Sequence, residues 1–139
     1  MDVEIKSIPQ SRQRDPNSVG DYWRAADGAL YVRVTEMPDW RYELLIAVHE
    51  LVEEALATHR GIPEPEIMRF DLEHPELDDP GMDCRAPYHA EHFFADAIER
   101  LIAQQLGVDW HAYGEACEVA VARHAADDQA PALPRPSGT

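Results

Sequence analysis

A long apolar repeat between Pro38 and Gly61 largely decides how this chain folds. Apolar residues recur there at three- and four-residue spacing, which predicts a single long amphipathic helix. The helix is predicted to open at Pro38-Asp39-Trp40, to run to about Arg60, and to end at Gly61, because glycine commonly follows a helix C-terminus. The predicted apolar stripe consists of Leu44, Leu45, Val48, Leu51, Val52, Ala55 and Leu56.

Three polar residues lie within this helix in the pattern His49-Glu50-x-x-Glu53. His49 and Glu53 are four residues apart, so they share one helix face about one turn apart. In that geometry a helix offers a nitrogen and an oxygen to the same metal ion. His49 lies at the edge of the apolar stripe, whereas Glu50 lies on the more polar side.

A second helix is predicted from about Ala86 or Tyr88 to Leu106, and it too carries histidines at helical spacing. His89, His92 and Asp96 fall on one face of it. The predicted core stripe lies nearly opposite, so the polar face either meets solvent or looks across a groove toward the first helix. The core stripe comprises Phe94, Ala97, Ile98, Leu101 and Ile102.

The remaining elements predict an α+β fold that is mostly helical. Alternation predicts a strand at Val3–Ile8, and Asp27-Gly28 predicts the turn of a β-hairpin. A small antiparallel sheet is expected to pack on about three helices. Residues 1–126 are predicted to form one globular domain, and 127–139 a disordered, proline-rich tail. The other predicted segments are hairpin strands at 21–24 and 29–35, a short helix at 63–70, and a helix from Asp109 to about His124.

Composition narrows the classes of partner. The net charge is -15, with 27 acidic and 12 basic residues and no basic stripe visible in the sequence. This disfavours nucleic acids and anionic membranes, which bind clustered Lys and Arg. We expect a cytoplasmic protein, because there is no apolar leader and no transmembrane-length run. Cys84 and Cys117 belong to no CxxC pattern and are expected to be reduced.

The pattern His-Glu-x-x-Glu resembles the zincin helix motif His-Glu-x-x-His, in which the first Glu is a general base. This chain departs from that motif at Glu53, so a protease is disfavoured, whereas a metal site is not. Dimetal carboxylate bundles would need Glu-x-x-His, which neither helix contains. All-α nucleotide pyrophosphohydrolases would need a later Glu-x-x-Asp, whereas Glu91 and Asp96 are five residues apart.

These patterns predict a metal-binding protein that could be a small metal-dependent hydrolase. Its ion would be zinc or, alternatively, iron, manganese or nickel. Glu50 would act on a metal-bound water as the general base. The predicted ligands are His49, Glu53, His89 and His92, and His74, Asp83 and Asp96 are candidates to complete the site.

The rival prediction is a non-catalytic acidic interaction protein. In that case the same side chains would be surface or hydrogen-bonded polar groups, and the partner would be another protein or a second copy of the chain. Burial of His49 discriminates between the two predictions.

Four segments together resemble a family of small, uncharacterised bacterial and phage-type proteins. The resemblance covers most of residues 1–113 and implies a prophage or mobile-element origin. It implies no catalytic activity. The matching segments are Asp39-Trp-Arg-Tyr-Glu, His49-Glu-Leu-Val-Glu53, His59-Arg-Gly-Ile62 and Pro87-Tyr-His-x-x-His92.

Overall fold

The structure is a computed structural model that describes residues 1–129, so most of the predicted tail lies outside the described residues. It confirms the α+β, mostly helical class. The strands are β1 (Val3–Ile8), β2 (Gly20–Arg24) and β3 (Leu30–Thr35). The helices are α1 (Trp40–His59), α2 (Glu64–Glu73), α3 (His89–Gln105) and α4 (Trp110–Gln129).

The sheet is mixed and its strand order is β1-β3-β2. Strands β2 and β3 form the predicted antiparallel hairpin, with Tyr22 opposite Val32. Strand β1 pairs parallel to β3, with Ile5 opposite Val32. The expectation of a purely antiparallel sheet was therefore wrong for β1. Alternation fixes which side chains share a face, but it does not fix the edge that a strand joins.

Helix α1 covers one face of this sheet. It begins where Asp39 caps it, because the Asp39 carboxylate accepts a hydrogen bond from the Arg41 backbone N–H. Beyond its last turn Gly61 adopts a φ of 72°, as the predicted helix-ending glycine should. Leu45 and Ile46 are buried in the core with Val32.

Helix α3 runs antiparallel to α1 and packs along it. The Arg41 guanidinium donates to the Leu106 carbonyl at one end, and Arg60 lies 3.2 Å from Glu91 at the other. The orientation of these two helices places His49 at the middle of their interface.

Helix α3 buries its polar face and exposes its apolar one. The predicted core residues Phe94 and Leu101 are 51% and 57% exposed, and Phe93 is 57% exposed, so that part of the stripe was wrong. The cause is that the inward carboxylates have polar partners. Glu99 bonds with His49 of α1 and Tyr113 of α4, and Glu91 pairs with Arg60, which directly follows α1. The buried residues of α3 are Glu91, Ala95, Glu99 and Ala103.

The chain between α2 and α3 folds over the start of α3. A short 3-10 turn at Pro80–Met82 lies within this segment. Helix α4 continues to Gln129, beyond the predicted end near His124. Within residues 1–129, no helix is both long and apolar enough to span a membrane.

Candidate metal centre

Antiparallel packing of α1 on α3 brings together His49, Glu53 and His92, three of the four predicted ligands. His49 Nε2 lies 3.1 Å from Glu53 Oε2 and 3.1 Å from His92 Nδ1. His92 Nδ1 lies 2.7 Å from the same Glu53 oxygen. Two nitrogens and one oxygen therefore converge on one point between the helices, although they come from positions up to 43 residues apart.

The second polar atom of His49 and that of Glu53 are each held by another side chain. His49 Nδ1 lies 3.0 Å from Glu99 Oε2, and Tyr113 donates its hydroxyl proton to Glu99 Oε1 at 2.8 Å. Tyr22 donates its hydroxyl proton to Glu53 Oε1 at 2.9 Å. These contacts leave His49 Nε2 and Glu53 Oε2 facing the point of convergence.

The His92 ring is fixed by the turn at Pro80–Met82. Its Nε2 lies 2.9 Å from Asp79 Oδ1, at an ion-pair distance but outside hydrogen-bond angles. A Cβ at Gly81 would lie 2.3 Å from the ring, so only glycine allows the turn to approach this closely. The turn therefore covers the His92 ring, and His92 Nδ1 faces Glu53.

His89, the fourth predicted ligand, is not brought to this point. Its Nδ1 donates a proton to the Gly81 carbonyl at 2.9 Å, so the side chain holds the covering turn. His74 instead donates to the Phe70 carbonyl, and Asp83 pairs with Arg85. None of the three belongs to a group of potential ligands whose atoms lie together among the described residues.

Asp96 does belong to such a group, with His49 and Glu99, on the Nδ1 side of the His49 ring. This second group shares its only histidine with the first. Glu99 already accepts hydrogen bonds from His49 and Tyr113. The first group, with two histidines and one carboxylate, is therefore the stronger candidate.

Glu50, the predicted base, is half-buried against strand β2. A Cβ at Gly20 would lie 2.5 Å from Glu50 Oε1, so the missing side chain of Gly20 makes room for this carboxylate. Burial, followed by the negative charge of Glu53, raises the pKa of Glu50 to about 8. Near neutral pH this group therefore exists in both of its protonation states.

The histidines hold protons at the point of convergence. Burial disfavours their charged forms, but hydrogen bonds to carboxylates outweigh burial and raise the pKa of His49 to about 11. The nearby Asp79 carboxylate and the hydrogen bond to Glu53 likewise outweigh burial and raise the pKa of His92 to about 9. Burial alone would raise the pKa of Glu53, yet bonds to both histidines lower it to about 2. The cluster is therefore a carboxylate between two cationic rings.

Sequence reasoning missed the side chains that hold the ligands. Tyr22 and Tyr113 carry no signal, because a tyrosine in a strand or helix usually packs in the core. Glu99 was not among the predicted ligands. Its one available signal was its spacing of seven residues from His92, which puts both on one helix face.

Comparison with known proteins gave no similar protein: no family model, curated protein or solved structure matches this chain.

Proposed function

We propose that His49, Glu53 and His92 bind one divalent transition metal ion, with zinc the first candidate. The convergence of their three ligand atoms carries the proposal. Tetrahedral zinc with bonds of about 2.0–2.1 Å holds ligand atoms about 3.3 Å apart. The three atoms would therefore need to separate by only a few tenths of an ångström from their distances of 2.7–3.1 Å.

The surroundings of the ligands support the same proposal. Metal-binding histidines usually donate their other N–H to a carboxylate, which fixes the tautomer that binds the metal. His49 has this arrangement with Glu99. A dication would replace the two shared protons, and its charge would be balanced by Glu53 and by the neighbouring acids.

We further propose that the centre is hydrolytic and that Glu50 is its general base. Two histidines and a glutamate are a ligand set of catalytic zinc, and three protein ligands leave a coordination position for water. Glu50 follows His49 directly, as the base follows the first ligand in the zincin pattern. A pKa of about 8 suits proton transfer near neutral pH.

Elemental analysis of untagged protein purified without chelator tests the metal. We expect close to one equivalent of zinc, iron, manganese or nickel, and its loss in His49→Ala and His92→Ala. His111→Ala is the matched control, because His111 is exposed on α4. His89→Ala should retain more metal than His92→Ala, since His89 holds the covering turn without supplying a ligand atom.

The outcomes separate the two levels of the proposal. Metal-free protein that binds no zinc or cobalt on reconstitution would refute the centre. Metal retained in His49→Ala would place it elsewhere. A metal-loaded protein whose Glu50→Gln variant equals wild type against a panel of esters, amides and phosphoesters would refute the hydrolytic role alone.

A second candidate function is self-association, which the outer face of α3 favours. Phe93, Phe94 and Leu101 are all more than half exposed there. The exposed positions of this face include no carboxylate, although the chain is strongly acidic. A second copy could therefore pack here without bringing acidic side chains directly together.

Sedimentation velocity tests this second candidate. We expect a dimer that Phe94→Glu dissociates and that Leu72→Glu leaves intact. Leu72 is the matched control, because it is equally exposed, at 52%, but lies on α2. A wild-type monomer at several hundred micromolar, or a dimer that survives Phe94→Glu, would refute it.

A further inference from the structure

The outer face of the sheet gathers basic residues that are scattered in the sequence. Tyr22 on β2 and Val32 on β3 point toward the core, so their neighbours Trp23 and Arg33 lie on the opposite face. Lys6 on β1 stands beside Arg33 in the parallel register. The sheet face remote from α1 therefore carries cations and an aromatic ring.

An open pocket of about 290 Å³ lies on this face. Four of the 12 basic residues of the chain line it, including its only lysine. The loop after β1 supplies two of these four and closes one side of the pocket. The cations are Lys6, Arg12, Arg14 and Arg33, and Gln13, Asp21, Trp23 and Ile8 complete the lining.

Two of these cations have no carboxylate partner among the described residues. Arg14 is paired with Asp21 at 2.6 Å and with Glu64, and Arg33 lies 3.6 Å from Glu4. Lys6 and Arg12 form no ion pair within residues 1–129. In a chain with 27 acidic residues, two unpaired cations in one concavity make a local site for an anion.

Aromatic contacts fix the floor of the pocket. The guanidinium groups of Arg14 and Arg33 lie 4.9 Å and 5.2 Å from the centre of the Trp23 ring. Trp23 is in turn stacked on Tyr31 at 5.7 Å. Such cation–π contacts hold Arg14 and Arg33 against the floor of the pocket.

We propose that this pocket binds a small organic molecule that carries a phosphate group. A phosphate monoester has nearly two negative charges and three acceptor oxygens, which match Lys6 and Arg12 better than one carboxylate would. Ile8 and the edge of Trp23 would contact the organic part. A nucleic acid fits less well, because a polyanion would extend from this small pocket over a surface of net charge -15.

Calorimetric titration of the full chain tests the proposal, with inorganic phosphate, glycerol phosphate and a mononucleotide as probes. We expect binding that Lys6→Gln and Arg12→Gln each weaken about tenfold, which is typical for losing one charge-assisted hydrogen bond. Arg69→Gln is the matched control, because it removes the same charge from an exposed site outside the pocket. That variant should bind as wild type does.

The same titration in His49→Ala separates this pocket from the metal centre. Binding should be unchanged there, whereas phosphate held by a metal would be lost. Three results would overturn the proposal. The first is that no probe binds at about 10 mM. The second is that Arg69→Gln weakens binding as much as Lys6→Gln and Arg12→Gln do, and the third is that binding is lost in His49→Ala. Tighter binding of a single-stranded oligonucleotide than of the mononucleotide would overturn the small-molecule assignment.

Discussion

Glu99→Gln should weaken metal binding strongly although Glu99 is not one of the proposed ligands. Glu99 is 6% exposed and accepts two hydrogen bonds, one from His49 Nδ1–H at 3.0 Å and one from the Tyr113 hydroxyl at 2.8 Å. A glutamine in its place has only one acceptor oxygen for these two donors. If Tyr113 keeps that oxygen, the amide N–H₂ faces His49 and favours the tautomer that carries its proton on Nε2. That proton occupies the nitrogen that would bind the metal.

The size of the effect follows from the bonds involved. A buried hydrogen bond to a charged group contributes about 1.5–3 kcal/mol, and a neutral one about 0.5–1.5 kcal/mol. The difference is about 1–1.5 kcal/mol, or roughly tenfold in affinity. Loss of an orienting partner behind a metal-binding histidine typically costs about 10–100-fold. We therefore expect the dissociation constant for zinc to rise at least about tenfold.

Competition with a chromophoric chelator measures that constant, and long-range ¹H–¹⁵N spectra of the metal-free protein report which His49 ring nitrogens carry a proton. Glu115→Gln is the control, because Glu115 is exposed and pairs with His111 on α4. Wild-type zinc affinity in Glu99→Gln, together with loss of binding in His49→Ala, would refute the orienting role and leave the metal site standing. Failure of wild type to bind zinc would refute the site itself.

Three further predictions concern the same centre. Gly81→Ala should displace the Pro80–Met82 turn, because its Cβ would meet the His92 ring, and should weaken zinc binding; wild-type affinity would show that the turn does not hold His92. Gly20→Ala should displace Glu50 and should therefore lower any hydrolytic rate more than it lowers the metal content. Measuring the rate and the metal content on the same sample checks this difference. Metal-free protein should lose stability as pH rises from about 6.5 toward 9. The raised pKa values of His49 and His92, about 11 and 9, stabilise the fold only while the rings are charged, and urea unfolding at pH 6 and pH 9 checks the sign.

The sequence predicted the elements well because their signals are local. Alternation predicted β1 at Val3–Ile8, and an apolar repeat that opens at Pro38-Asp39-Trp40 and ends at Gly61 predicted α1 within two residues. The helical spacings of His49 with Glu53 and of His89 with His92 predicted four ligands, which include the three side chains that converge. Each of these signals lies within a few neighbouring positions.

The parts that could not be predicted depend on contacts between distant residues. The side of β3 that β1 joins and the face that α3 turns inward are decided by partners far along the chain. For α3 the apolar pattern alone pointed the wrong way, because Glu99 gains bonds from His49 and Tyr113 that composition cannot show. His89 was predicted as a ligand because its spacing from His92 is visible in the sequence, whereas its partner in the structure is a backbone carbonyl, that of Gly81.

The inverted orientation of α3 also bears on how the chain folds. Hydrophobic collapse favours burial of Phe93, Phe94 and Leu101, whereas the final structure buries Glu91 and Glu99. Early compact states should therefore hold this helix rotated about its own axis, with its helical content already complete. Correct rotation requires Glu99 to form its hydrogen bonds with His49 and Tyr113. Secondary structure and side-chain order should then appear in separate kinetic phases, and metal added during refolding should accelerate only the second phase.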